Sequence, residues 1–454
     1  MSQPLFQEFE EVSAKQWKQK IQVDLKGADY NEKLVYKSRD GINIKPFYNA
    51  EDLEKTFRID SPTKWEICEK IFVVSEEKSN KKATEVLTKG AESLWFIISS
   101  EKTDFQKLFK DISLEEVPVY LDFEFLPDSL FEELSTFLKD KKHQFRLHID
   151  IVGNLARSGN WYFDLKKDHA ILDKVVSNSA DLKSVLSVDS GLYQNAGATI
   201  PQELAYALAH ANEYLNLFSE NKDLEIDFIV ASGTNYFFEI AKIRALRILY
   251  ASLASEYGIN EKCHILAQPT KRDKTLYDFN VNLLRTTTQA MSAVLGGADA
   301  VYNMPYDSIY HKNNEFGDRI ARNQLLILKT ESYFDKVSNA AEGAYYIESL
   351  TQQFAEKALE IFKEIEAGGG FLKELKEGII QRKIAESAKL EQEKFDKGEL
   401  VLIGTNKYEN PEDKMKGDLE LFPFLKMNPR KTLISPILER RLSERSEQER
   451  LEKE

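Results

Sequence analysis

The sequence is short of residues that staple, coordinate or anchor. Its 454 residues hold two cysteines, Cys68 and Cys263. They lie far apart and neither belongs to a Cys-x-x-Cys pair, which argues against a disulfide framework and a thiolate zinc cluster. The six histidines are scattered as His143, His148, His169, His210, His264 and His311. None sits at the i, i+4 spacing that puts two imidazoles on one helix face. Cys263 and His264 are adjacent, so on a strand they point to opposite faces and make a poor metal site. His148 and His264 fall inside expected strands, where a hydrogen-bonded structural role accounts for them. The opening MSQPLFQEFEEV has no apolar stretch of the kind a secretion signal needs. No run approaches the roughly 18 apolar residues of a membrane span. Positive charge is also in deficit. Sixty-two Lys and Arg against 75 Asp and Glu leave a net charge of −13, which disfavours a phosphate-neutralising face for nucleic acid. A cytoplasmic protein with no metal and no nucleic-acid or membrane partner is expected.

What is present is a 42 % hydrophobic chain, enough for a large core. From about 65 to 307, short apolar runs recur every 25 to 40 residues or so. They are Ile67 to Val74, Leu94 to Ser99, Val117 to Phe123, Phe145 to Val152, Val185 to Val188, Ile226 to Ala231, His264 to Ala267 and Ala300 to Met304. Helical stretches separate them, such as Asp128 to Leu138, Pro201 to Phe218, Tyr236 to Tyr257 and Tyr277 to Leu295. Alternating strands and helices imply parallel strands with right-handed crossovers. Eight such units predict an α/β fold, a closed (β/α)8 TIM barrel. An open doubly wound sheet is the competitor, but its glycine-rich phosphate loop is missing. The expected division is an N-terminal arm over 1–45, a barrel over 46–330, a C-terminal helical extension over 331–410 and a tail over 411–454. The arm carries one helix, Val12 to Leu25, with Trp17, Ile21 and Leu25 at helical spacing. Arg319 to Glu331, Ala344 to Glu366 and Phe371 to Lys397 read as further helices. The Arg- and Glu-rich stretch from Leu438 reads as a solvated helix or a frayed end.

In such a barrel, chemistry belongs to the loops after the strands. Four polar clusters fall there: Asp189-Ser190-Gly191, Ser232-Gly233-Thr234-Asn235, Gln268-Pro269-Thr270-Lys271-Arg272 and Asn303-Met304-Pro305-Tyr306-Asp307. They make a plausible ligand mouth, and helix caps and turns would use the same residue types. No Ser-His-Asp motif, nucleophile elbow or Asp-x-His-x-x-Gly motif is found.

Several segments together resemble the methylmalonyl-CoA mutase family. They are Asn195-Ala196-Gly197-Ala198-Thr199 with Glu203-Leu204-Ala205-Tyr206, Asn235 to Ala245, Arg285-Thr286-Thr287 with Ala290-Met291, and Arg319 to Asn323. Glu366-Ala367-Gly368-Gly369 and Leu402 to Tyr408 continue the likeness. In the arm, Asp24-Leu25-Lys26-Gly27, Arg39-Asp40-Gly41-Ile42 and Ile44 to Tyr48 look like the family's small-chain arm. The resemblance implies a barrel through which catalytic members thread the substrate's CoA chain. It also implies adenosylcobalamin held in a further domain and interconversion of methylmalonyl-CoA with succinyl-CoA.

The positions that carry this chemistry are degenerate. Aligned on Ala196-Gly197-Ala198-Thr199, the family's Tyr-His pair falls on Gly191 and Leu192. An isobutyl group donates no hydrogen bond to a thioester carbonyl. Thr63 to Lys70 replaces Arg-Pro-Trp-Thr-Ile-Arg-Gln-Tyr, so two arginines become Thr63 and Cys68 and the tyrosine becomes Lys70. Glu66 and Glu69 add negative charge where an anionic thioester would dock. Tyr302-Asn303-Met304 stands for His-Thr-Asn. Strands rich in Phe, Ile, Leu and Val predict a packed axis.

The resemblance therefore implies no catalytic or cofactor-binding residue in this chain and no cobalamin-binding domain. It implies the non-catalytic member of a heterodimer, supporting a large subunit that holds the adenosylcobalamin, with the arm embracing that partner. The alternatives are an autonomous barrel enzyme or ligand binder using Asp189, Gln268, Lys271, Arg272 and Asp307, and a regulatory homodimer.

Overall fold

The computed structural model describes residues 8–53, 56–426 and 429–454. Eight parallel strands close into a barrel: β1 Glu66–Val73, β2 Ser93–Ile98, β3 Val119–Phe123, β4 Phe145–Ile149, β5 Ser184–Asp189, β6 Ile226–Ser232, β7 His264–Pro269 and β8 Ala300–Tyr302. Each pairs with its sequence neighbour, and β8 returns to β1 with Ala300 opposite Glu66 and Tyr302 opposite Cys68. The strands fall on the eight expected runs. The fourth ends early: Asp150 accepts a hydrogen bond from the Gly153 amide at 2.7 Å and starts a helix at Ile151. A capping carboxylate thus turns an apolar run from strand into helix.

Helices cover the outside. The one at Ile200–Phe218 starts on a capping box formed by Thr199 and Gln202, with Pro201 in its first turn. The one at Tyr236–Tyr257 ends on Gly258 in the left-handed region. The expected helix from Phe371 to Lys397 is two helices, Phe371–Lys376 and Ile379–Asp396, broken where Gly378 takes φ +73°. The stretch from Arg319 is helical from Glu315 to Leu326 and widens to a π turn over Ile327–Glu331.

The arm helix spans Ala14–Asp24 and buries none of its own residues. Its Trp17 meets Phe47 edge-on at 6.1 Å. The chain beyond it lies on this protein's own helices. Asp40 accepts from the Ile200 amide at 2.9 Å, the Asn43 amide donates to Gln353, and Ile42 is buried.

The tail meets its expectation in part: Glu444–Leu451 is a helix with Arg445 and Glu449 exposed, but its other face and the residues just before it are buried. Arg441, Ser443 and Glu447 are buried, and residues 433–442 run as a strap over the C-terminal ends of the strands. The Leu433 and Ile434 amides donate to Gly159, Ile437 to Ala156, Arg440 to Asn195 and Leu442 to Arg272. Arg and Glu read as solvent-facing in sequence, and Arg445 and Glu449 are, yet Arg441 and Glu447 pair inside at 2.7 Å.

Candidate functional site: the barrel axis and its mouth

A strand sends alternate side chains to opposite faces. On β1 this puts Glu66, Cys68 and Lys70 inside the barrel, and Ile67, Glu69 and Ile71 against the helices. The Phe, Ile, Leu and Val residues of the strands largely take the outward positions, in the main apolar core. The axis is packed, as expected, but by a different set. Cys68, Trp95, Tyr120, Ile229, Leu266 and Ala300 form a separate buried cluster across its middle. Polar groups surround that plug. The aromatic rings of Trp95 and His148 meet edge-on at 5.9 Å, and those of Trp95 and Tyr302 at 6.0 Å.

Below the plug lies a charged network. Arg146 donates to Asp227 at 2.8 Å and to Glu225 at 2.6 Å. His148 is 2.7 Å from Asp122 through Nδ1 and 3.4 Å from Asp227 through Nε2. The Tyr120 hydroxyl lies 2.9 Å from both Glu66 and His264 Nε2. A phenol has one proton. Donated to Glu66, it leaves the oxygen to accept from a neutral His264 protonated at Nε2.

Burial by itself would strip the proton from His148. The Asp122 carboxylate, with Asp227, outweighs it and holds that pKa at about 9. Burial and then Arg146 push His264 down to about 4. Burial raises Glu66 to about 7 against the bond from Tyr120. Asp227 is buried too, but Arg146 and the histidines bring it to about 2. His148 has a folded pKa above its unfolded one. Its stabilisation is therefore complete below about 6.5 and is lost as pH rises through about 9. The difference in unfolding free energy between wild type and His148→Gln should shrink by about 3 kcal/mol from pH 6 to pH 10. Urea unfolding across that range measures it, and parallel pH profiles would refute it.

The four polar clusters do line the mouth, and most of their side chains are already bonded. Asp189 pairs with Arg157 at 2.7 Å, Lys271 with Glu439 at 3.2 Å and Arg272 with Glu391 at 2.6 Å. Thr270 donates to Asn195, and Asp307 receives His311 and Asn314. Gln268 faces a cleft of about 480 Å³ between the mouth and the tail, shared with Lys70, Tyr302 and Met304. A second cleft of about 490 Å³ opens at the other end of the barrel beside Arg146 and His264. The aromatic plug stands between the two.

The degenerate positions sort by direction. Lys70 lies inside, its ammonium 3.6 Å above the Trp95 ring and 5.6 Å from that of Tyr302. Leu192 belongs to the outer apolar core, and a Cβ on Gly191 would sit 3.0 Å from an Asp189 oxygen. Glu69 corrects an expectation: odd parity turns it away from the axis, where it pairs with Arg322 at 3.0 Å. Only Glu66 of the two adds charge inside. The charged network was not singled out in the sequence. Its signal is a polar residue at alternate positions of an apolar run, as in Phe145-Arg146-Leu147-His148-Ile149. Among the described residues no cluster of three metal-ligating side chains occurs. No described helix is long and apolar enough to cross a membrane.

Comparison with known proteins bears on this geometry. The methylmalonyl-CoA mutase family model matches residues 96–450. The chain is 34 % identical to the methylmalonyl-CoA mutase small subunit of Porphyromonas gingivalis, over 89 % of this chain and 71 % of that one. It is 29 % identical to the small subunit of Streptomyces virginiae, over 83 % of this chain and 67 % of that one. The large subunit of P. gingivalis is 33 % identical over 50 % of this chain and 33 % of its own length.

Proposed function

The chain belongs to the methylmalonyl-CoA mutase family, and on that premise we propose that it is a non-catalytic small subunit that supports a catalytic large one. The observation that carries the reading is the filled axis. Trp95, Tyr120, His148 and the Arg146–Asp227 pair occupy the line along which a thioester chain would pass. Clearing it would break a buried, charge-paired network. The positions aligned with the family's chemistry hold Lys70, Gly191, Leu192 and Tyr302, and Leu192 faces the helices.

Adenosylcobalamin does not fit this mouth. The strap of residues 433–442 crosses the strand ends where a flat macrocycle would need an open face. His148, His210 and His311 are bonded to carboxylates, and His264 to Tyr120. On this reading the cofactor and the methylmalonyl-CoA/succinyl-CoA interconversion lie with the large partner. This chain contributes packing surface, including the exposed arm residues Trp17 and Val23.

The test assays this chain, its large partner and their mixture with adenosylcobalamin and methylmalonyl-CoA. We expect no turnover by this chain alone, a stoichiometric complex on sedimentation, and a mixture more active than the large chain alone. Turnover by this chain alone would overturn the reading, as would a failure to associate.

A further inference from the structure

We infer that the cleft at the barrel mouth is a covalent capture site, in which Lys70 forms an imine with a 2-oxo acid bearing an apolar side chain. The inference stands apart from the subunit role and survives its failure.

The amine is unusual in its company. Among the described residues the Lys70 ammonium has no hydrogen-bond acceptor and no ion-pair partner, only the faces of Trp95 and Tyr302. A lysine that supported the fold by charge would be paired, as Lys242 and Lys274 are at 2.6 Å. Lys70 instead sits on the floor of a cleft of about 480 Å³, partly open to solvent. That volume suits a small metabolite.

The walls select the ligand. Met304, Phe422 and Phe424 offer an apolar surface, and Lys271 and Arg440 stand at the same cleft to draw a carboxylate. The carboxylates there, Glu439 and Glu444, lie beside Lys271 and Arg440 at 3.2 and 3.8 Å. Among the described residues, Lys70 and the exposed Lys426 are the lysines of this cleft without an ion-pair partner. Burial, against the pull of Asp122 and Asp189, brings its pKa to about 8. At pH 8 about half of it is then free amine, against less than about 1 % for an ordinary lysine.

The step is a condensation. The lone pair of Nζ attacks the ketone carbon, forming C–N while the carbonyl oxygen takes a proton. The carbinolamine then loses water to give C=N. Nothing is oxidised or reduced.

The probe is 4-methyl-2-oxopentanoate, mixed with the full chain at pH 8 and treated with borohydride, which delivers hydride to the imine carbon and fixes the adduct. Peptide mass spectrometry maps it. We expect labelling at Lys70 to exceed that at exposed Lys20 or Lys142 by at least about tenfold, as an amine about half deprotonated at pH 8 allows. 4-Methylpentanoate, which lacks the ketone, should compete. The wild-type map decides the matter without a variant: labelling spread evenly over surface lysines overturns the inference. Lys70→Arg, which keeps the charge over Trp95, should abolish the site-specific adduct. Retention of that adduct in the variant also overturns it.

Discussion

Replacing Asp227 with alanine should lower the unfolding free energy by about 3–5 kcal/mol, the range for a buried ion pair that loses one partner. Asp227 is fully buried on β6 and faces both Arg146 and His148. Without it, Arg146 keeps Glu225 but His148 is left with Asp122 alone. Two cations then remain in the axis with fewer anions to hold them. Globular domains are stable by only about 5–15 kcal/mol in total, so the loss is a large fraction. Urea denaturation measures it. A loss under about 1 kcal/mol would mean that the network does not hold the axis shut.

Lys242→Met should be of similar size, and its effect should grow with pH. Lys242 lies between Glu203 and Glu239, 3.0 and 2.6 Å away, and donates to the Ala231 carbonyl at the end of β6. All four groups are buried. Methionine fills the volume but leaves two carboxylates facing each other and a carbonyl without its donor, at a cost of about 3–5 kcal/mol. Glu203 is already raised to about 7 by burial. Without the ammonium both acids rise further, so the folded variant favours protons that the unfolded chain has released. Its stability must fall as pH climbs above about 4.5. The loss relative to wild type should therefore be greater at pH 8 than at pH 5. An equal loss at both would rule out the two carboxylates as its cause.

The barrel was legible because its signal is redundant. Eight apolar runs separated by helical stretches leave few topologies. The direction of each side chain was not, because parity depends on where a strand starts. One residue decides that Glu69 meets Arg322 outside while Glu66 meets Tyr120 within. The same uncertainty hid the axis network, whose members are spread over β1, β3, β4, β6 and β7 and meet only after closure. The strand-four error was local, with Asp150 capping a helix where Ile151 and Val152 had looked like more strand. The tail was read only in part, for another reason. Its charges read as solvent-facing, and only the fold supplies the carbonyls of Gly159, Asn195 and Arg272 that its backbone bonds. Within the mouth, the loops were located correctly. That Lys271 and Arg272 are held by Glu439 and Glu391, from segments far along the chain, was beyond local reading.

The strap has a consequence for timing. Synthesis that has just completed β8 has all eight strands, yet the segment that bonds Gly159, Asn195 and Arg272 is still to come. About 140 residues separate Tyr302 from Leu442, roughly 7 to 30 s at ribosomal speeds of about 5–20 residues per second. Until then the strap's hydrogen bonds to the rim are not made, and the cleft above Lys70 lacks its wall of Phe422, Phe424 and Arg440. A binding partner or chaperone that acts on the open rim has seconds in which to do so, and the finished chain withdraws the opportunity.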